Sequence, residues 1–404
     1  MRLHGFLCSA KRLQKPLYKD RISISFAQKT VFKHRIMRYY IIAGEASGDL
    51  HGANLIKALK KKDSQADIRA WGGDLMENSG AVLKKHYREL AFMGFLEVLK
   101  NLPTILRNMS VCKKDILAYK PDVLILIDYP GFNLRIATWA KTQNIKVFYY
   151  ISPQIWAWKE RRIHLIKKVV DRMFVILPFE KDFYKKYDMY VDFVGHPLLD
   201  AFEQFELQVD FHKKNNLSQK PIIALLPGSR KQEIEKIMAL MLNIIPNFEA
   251  YQFVIAGAPS MEDAVYESFI HQNKNVKLLR NQTYQLLAHS AAAIVTSGTA
   301  TLETALMNVP QVVVYKGSAI SYAIAKRLVN IKYIALPNLI MDRAIVKELI
   351  QNDCTVQHIS EALQQQLSAS ETIKKHYATL KNKLGNVGAS QRLADLIVQY
   401  LRNE

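Results

Sequence analysis

Asp128 stands directly after the apolar run Val123–Ile127 and before Tyr129-Pro130-Gly131-Phe132-Asn133, a turn that ends a strand and opens a helix. A carboxylate at the end of such a strand can take the proton of an attacking hydroxyl; the same residue can also brace a loop or cap a helix. Gly44-Glu45-Ala46-Ser47-Gly48-Asp49 follows the first strand, and Gly44 and Gly48 permit a tight turn or the close approach of a ligand. Glu45 and Ser47 are then candidate cleft residues of a ligand loop, with Ser47 or Asp49 as the alternative helix cap. Pro227-Gly228-Ser229-Arg230 leads into a helix that starts with the acids Glu233 and Glu235. Glycine, hydroxyl, free amides and guanidinium together suit an anionic oxygen, although a capped turn with a solvated arginine uses the same residues. Thr296-Ser297-Gly298-Thr299-Ala300-Thr301 repeats the arrangement, with Glu303 one turn into its helix. Two such loops in one half of the chain predict a diphosphate. Glu303 could bond both hydroxyls of a ribose or serve as a helix-start dipole partner.

Absent patterns narrow the chemistry. The sequence has no D-x-D, H-x-x-x-H or C-x-x-C, so neither a metal nor another cofactor is expected. G-x-x-x-x-G-K-[ST] and G-x-S-x-G are also missing, which removes the P-loop NTPase and α/β-hydrolase readings.

The elements that position these loops follow from periodicity. The first half gives apolar strands near 39–43, 122–127, 146–151 and 173–177, with helices near 48–61, 94–119 and 133–143. The second gives strands at 222–226, 252–256, 276–279, 293–295 and 311–315, again alternating with helices. The expected fold class is α/β, with two Rossmann-like doubly wound domains facing across a cleft. In such sheets ligands bind beyond the carboxyl ends of the strands, where the loops above lie. The expected organisation is a basic extension over 1–36, an N-terminal domain over 37–203, a polar linker over 204–220, and a C-terminal domain over 221–404 whose terminal helices can pack back on the first.

The 404 residues carry a net charge of +20, with 49% hydrophobic and 23% charged residues, as in a globular chain with a sizeable core. Residues 1–36 hold nine Lys or Arg against the single acid Asp20. A start at Met37 would make that segment non-essential, and its transit-peptide-like bias is the alternative. A positive surface can serve nucleic acid, an anionic membrane or phosphorylated substrates; with no nucleic-acid module in the sequence, nucleic acid is not expected. Cys8, Cys112 and Cys354 form neither a disulfide framework nor a metal pattern, which fits a reducing compartment. The segment 92–107 is dense in apolar residues interspersed with cations, and it suits a membrane interface or simply core. Ser152–Arg162, with Trp156 and Trp158, could line an apolar groove or pack a sheet edge, and His196 could be a base or a structural histidine.

Eight ordered motifs complete the reading: A-G-E-A-S-G-D, F-M-G-F-L-E-V-L, L-I-D-Y-P-G-F-N, I-S-P-Q-I-W-A-W, F-V-G-H-P-L, L-L-P-G-S-R-x-x-E-I, S-G-T-A-T-L-E and L-P-N-L-I. From about Met37 onward the chain resembles the lipid-A-disaccharide synthase family, bacterial inverting glycosyltransferases of glycosyltransferase-B architecture. The resemblance implies that UDP-2,3-diacylglucosamine donates its sugar to the 6-hydroxyl of 2,3-diacylglucosamine 1-phosphate, giving a β-1,6-linked disaccharide and UDP. It casts Asp128 as base, Arg230 as the group that neutralises the leaving diphosphate, and Asn338 as a further active-site residue. By analogy within the architecture, Gly228, Ser229, Ser297, Gly298 and Thr299 hold phosphate and Glu303 holds ribose. It makes Leu96, Val98, Leu99, Leu102, Ile105 and Leu106 the expected membrane-facing or acyl-facing residues of an enzyme peripheral to the cytoplasmic face of the inner membrane. It also admits a homodimer with exchanged C-terminal segments. Gly131 stands where some family members carry a second acid, which leaves Asp128 without that neighbour. A different UDP-sugar transferase or a nucleotide-sugar epimerase is the alternative.

Overall fold

The computed structural model describes residues 36–89, 102–203, 205–259, 261–271, 273, 276–317 and 332–403. The basic extension before Ile36 lies outside these residues, as do Leu96, Val98 and Leu99.

Two all-parallel sheets carry the fold. The first is built from β1 (Arg38–Ala43), β2 (Asp67–Gly72), β3 (Val82–His86), β4 (Val123–Ile127), β5 (Val147–Tyr150), β6 (Arg172–Val175) and β7 (Asp192–Phe193), in the order β3-β2-β1-β4-β5-β6-β7. The second is built from β8 (Ile222–Leu226), β9 (Gln252–Gly257), β10 (Val276–Arg280), β11 (Ser290–Thr296), β12 (Gln311–Tyr315) and β13 (Lys347–Ile350), in the order β10-β9-β8-β11-β12-β13. Both orders reverse beside the first strand of their sheet, so the loops after β1 and β4, and those after β8 and β11, flank the two switch points. Every residue of β4 and β8 is buried, as helix-covered parallel strands require.

The sheets differ from the sequence expectation at their edges. The edge strands β3, β7 and β13 are additional, as is β2 just inside β3. Val82-Leu83-Lys84-Lys85-His86 is an edge strand with two lysines, and such charges protect an edge while erasing the apolar alternation that would announce it. The stretch from 205 to 220 is polar in sequence yet not a free tether: Phe211 is fully buried beside Leu217, and its ring stacks on His289 at 4.7 Å. The helix beginning the membrane-like segment is described only from Leu102 to Tyr119.

The chain crosses back at its end. The last helix, Ala389–Arg402, lies against the Ala46–Lys62 helix of the first sheet. The Asp200 carboxylate accepts from the amides of Gly388, Ala389 and Ser390 at 2.6, 3.1 and 3.0 Å, capping that helix. Tyr400 donates to Asp192 at 3.0 Å, and Arg392 donates to the Val194 carbonyl at 2.9 Å. One apolar cluster therefore runs from Ile41 and Phe148 through Ile397 to Val313 and Ile340.

Candidate active site

Asp128 and Tyr129 both adopt left-handed backbone, with φ of 44° and 46°. Two successive non-glycine residues in that region are strained and must be held. The Asp128 amide donates to the Tyr150 carbonyl at 3.0 Å. Its own carbonyl accepts from the Tyr149 hydroxyl at 2.5 Å and from Asn133 Nδ2 at 2.8 Å. Asn133 is fully buried and also donates to Ile127 O at 3.1 Å, so one side chain spans the strand end and the turn. Gly44 completes the clamp, because a Cβ there would overlap the Tyr129 ring. The loops after β1 and β4 are thus packed as one unit.

Burial, and then the neighbouring Glu45 carboxylate, raise the Asp128 pKa to about 7. Glu45 is itself raised by burial and drawn back by Arg230. Arg230 belongs to the second sheet's loop, so its influence places Pro227–Arg230 opposite Glu45 across the cleft. An acid pair on one lobe thus faces a cation on the other. Sequence spacing assigned Glu45 to the cleft but not to the electrostatics of Asp128; the coupling crosses about eighty positions and leaves no local pattern. Ser47 is exposed and Gly48 is buried against Ala43. Asp49 caps a different helix from the one expected: it accepts from Gly73, Leu75 and Met76 amides at 2.8 to 3.2 Å, bracing Asp74–Asn78.

In the second lobe Gly228 has φ of 107°, and a Cβ would lie 2.8 Å from a Glu233 oxygen. Arg230 is exposed and pairs with Glu233 at 2.9 Å, next to Ser229. Ser297 donates to Ile334 O at 3.1 Å, while Gly298 and Thr299 open an exposed helix start. Glu303 is partly buried, which raises its pKa, and it accepts the Tyr284 hydroxyl at 3.0 Å through one oxygen.

Asn338 sits differently from a substrate-contacting residue. It is fully buried and its four hydrogen bonds are internal: Nδ2 donates to Val346 O and Glu348 Oε1, and Oδ1 accepts from the Ile345 and Val346 amides, all between 2.7 and 2.9 Å. Glu348 in turn receives the Ile334 and Ala335 amides. Asn338 therefore fixes the segment on which the Ser297 hydroxyl rests. His196 is likewise inward: buried, held neutral by that burial with a pKa near 3, and accepting from the Leu198 amide at 3.3 Å.

Sequence reasoning passed over Glu180. It is buried, accepts from the Leu177 amide at 3.0 Å and the Trp156 indole at 3.3 Å, and has a pKa raised by burial to about 7. Its only visible signal is an acid in the first turn after Pro178. Of the apolar segment, Ile105 packs against the core and Leu106 is 57% exposed. Val111 and Leu117 extend that exposed side, with Arg107 and Lys114 among them. Among the described residues no group of His, Cys, Asp and Glu could hold a metal, and no helix is long and apolar enough to cross a membrane.

A family model described as lipid-A-disaccharide synthetase matches residues 39–399. The lipid-A-disaccharide synthase of Syntrophus aciditrophicus is 38% identical over 372 residues, covering 90% of this chain and 97% of that one. Among solved structures, a putative UDP-N-acetylglucosamine 2-epimerase from Listeria monocytogenes superposes with a TM-score of 0.66 at 14% identity, covering 92% of this chain and 98% of the other. The glycotransferase of kitacinnamycin does so at 0.63 and 12%, covering 90% and 99%. These structural likenesses concern the fold alone, a two-lobed frame of glycosyltransferase-B type.

Proposed function

The chain belongs to the lipid-A-disaccharide synthetase family and carries its glycosyltransferase activity in lipid A biosynthesis, the premise from which we propose how this cleft performs the transfer. The donor is UDP-2,3-diacylglucosamine and the acceptor 2,3-diacylglucosamine 1-phosphate. Asp128 takes the proton of the acceptor 6-hydroxyl as that oxygen forms its bond to the anomeric carbon. The bond from that carbon to the UDP diphosphate breaks on the opposite face, so the linkage is inverted and UDP leaves. A carboxylate with a pKa near 7 suits this work, since about half of it is ionised at neutral pH and the ionised form is basic enough to take the proton.

Arg230, with Gly228 and Ser229, meets the diphosphate and offsets the charge that builds on it. The amides at Ser297, Gly298 and Thr299 add donors, and the second oxygen of Glu303 takes ribose. Asn338 acts as a positioning residue beneath that loop. Leu106, with Leu96, Val98, Leu99 and Leu102, brings the enzyme to an anionic membrane surface on its cytoplasmic face, where acylated substrates reside, while Ile105, packed against the core, anchors the helix. The observation that carries this reading is the Asp128–Glu45 pair on one lobe facing Arg230 on the other.

Incubating the purified protein with both substrates in neutral detergent, without added metal, and weighing the products by mass spectrometry tests it. Disaccharide 1-phosphate is the expected product. Its absence, with donor hydrolysed or epimerised instead, would overturn the proposal.

A further inference from the structure

The motif Ser152–Arg162 is not used by the mechanism above, and it carries an unusual pair of cations. Lys159 stands in left-handed backbone with φ of 59°, and its ammonium lies 4.1 Å from the centre of the Trp158 ring. The Arg162 guanidinium lies 5.8 Å from the same centre. Two positive groups are thereby gathered on one indole, and Trp158 is itself 43% exposed. Among the described residues neither cation has a carboxylate partner. Glu160, the acid inside the motif, is taken by the Tyr187 hydroxyl. Partial burial and the neighbouring Arg162 hold Lys159 below the ordinary lysine range, so the pair is repulsive as it stands.

Its location gives the repulsion a use. The motif follows β5 at the carboxyl edge of the first sheet, the same edge that presents Asp128 after β4. Arg162 is close enough to the Tyr149 hydroxyl to act on its ionisation, and that hydroxyl donates to the Asp128 carbonyl. In a hexopyranose the 6-hydroxyl, carried through C5, and the anomeric substituent, on C1, leave the ring on the two sides of its oxygen. An acceptor that offers its 6-hydroxyl to Asp128 therefore sets its anomeric phosphate at a separate, neighbouring position, which a second loop along this edge can serve.

We propose that Lys159 and Arg162 form the seat for the phosphate monoester of the acceptor sugar, and so select the phosphorylated acceptor over its dephosphorylated form. The proposal rests on the reaction proposed above. A phosphate between the two cations replaces their mutual repulsion with charge-assisted hydrogen bonds.

The test compares kcat/KM for diacylglucosamine 1-phosphate and for diacylglucosamine without the phosphate, in neutral detergent micelles with and without phosphatidylglycerol. Variants are Arg162→Ala, Arg162→Lys, Lys159→Gly, which tolerates the left-handed backbone, and Lys168→Ala as an exposed control on the following helix. Wild-type turnover establishes the reaction itself; without it the earlier reading fails, whatever the seat does. UDP affinity in each variant reports whether the fold is intact. The preference for the phosphorylated acceptor is expected to fall roughly tenfold to a hundredfold in Arg162→Ala and Lys159→Gly, the scale of a charged hydrogen bond. Arg162→Lys is expected to keep part of it, and Lys168→Ala all of it. An unchanged preference in folded, active Arg162→Ala and Lys159→Gly would overturn the proposal. So would a loss confined to the stimulation by phosphatidylglycerol, which would assign the cations to lipid headgroups.

Discussion

Asp128, the proposed base, sits where burial costs stability. Its pKa is raised from the usual carboxylate range to about 7, so the folded protein binds this proton more tightly than the unfolded chain does. Between those values the folded state is progressively penalised as pH rises, and above about 7 the full penalty is present. Asp128→Asn is therefore expected to be more stable than wild type at pH 8, by about 1 kcal/mol or more, in denaturant titrations. A lower midpoint at pH 8 would argue against that burial. The proposed mechanism needs the ionised form, so kcat/KM is expected to rise with pH through about 7 and then level. Glu45→Gln removes the neighbouring negative charge, and the rise should move to lower pH; a rise left in place would separate Glu45 from Asp128. Asp128 was legible in the sequence because it ends an uninterrupted apolar strand. Its tuning by Glu45 and its clamping by Asn133 and Tyr149 were not, since those contacts join loops that only the tertiary fold brings together. Asn338 shows the opposite case: a motif position that the fold turns inward.

At the scale of elements, the site consists of short loops whose backbone is set by a few glycines. Gly44 lies against the Tyr129 ring, and Gly44→Ala must displace the turn that carries Asp128. A loss of about 1 to 3 kcal/mol in stability is expected, the range of an overpacked site, together with a loss of turnover. Turnover at the wild-type level would show that the two loops move independently. Gly228→Ala meets both a left-handed φ and the Glu233 carboxylate, and UDP affinity measured by calorimetry should fall while Asp128 chemistry is untouched. The strands bearing these loops were readable because both their faces are buried. The edges were not: β3 carries lysines, and β7 is two residues long. The polar look of 205–220 hid the anchor Phe211, a single aromatic without a periodic partner.

The whole molecule is two lobes tied at more than one place. The chain crosses once through the segment ending near Lys220 and again before Ala389, after which the last helix joins the first lobe. Asp200 holds the start of that helix, and Asp200→Ala is expected to lower stability by about 1 to 2 kcal/mol through loss of the cap. An unchanged midpoint in thermal melting would show that the return helix is held by its apolar face alone. Periodicity in the sequence revealed two doubly wound units. The return of the terminal helices to the N-terminal lobe was expected, but the contacts that hold the last helix there, at Asp192, Val194 and Asp200, are tertiary and leave no local pattern. In the proposed mechanism this arrangement divides the labour: the base belongs to one lobe and the seat for the donor diphosphate to the other. The most direct test measures turnover and UDP affinity side by side on Asp128→Asn. Turnover should fall about a hundredfold or more while UDP affinity stays at the wild-type value. Retained turnover in the folded variant would contradict the account.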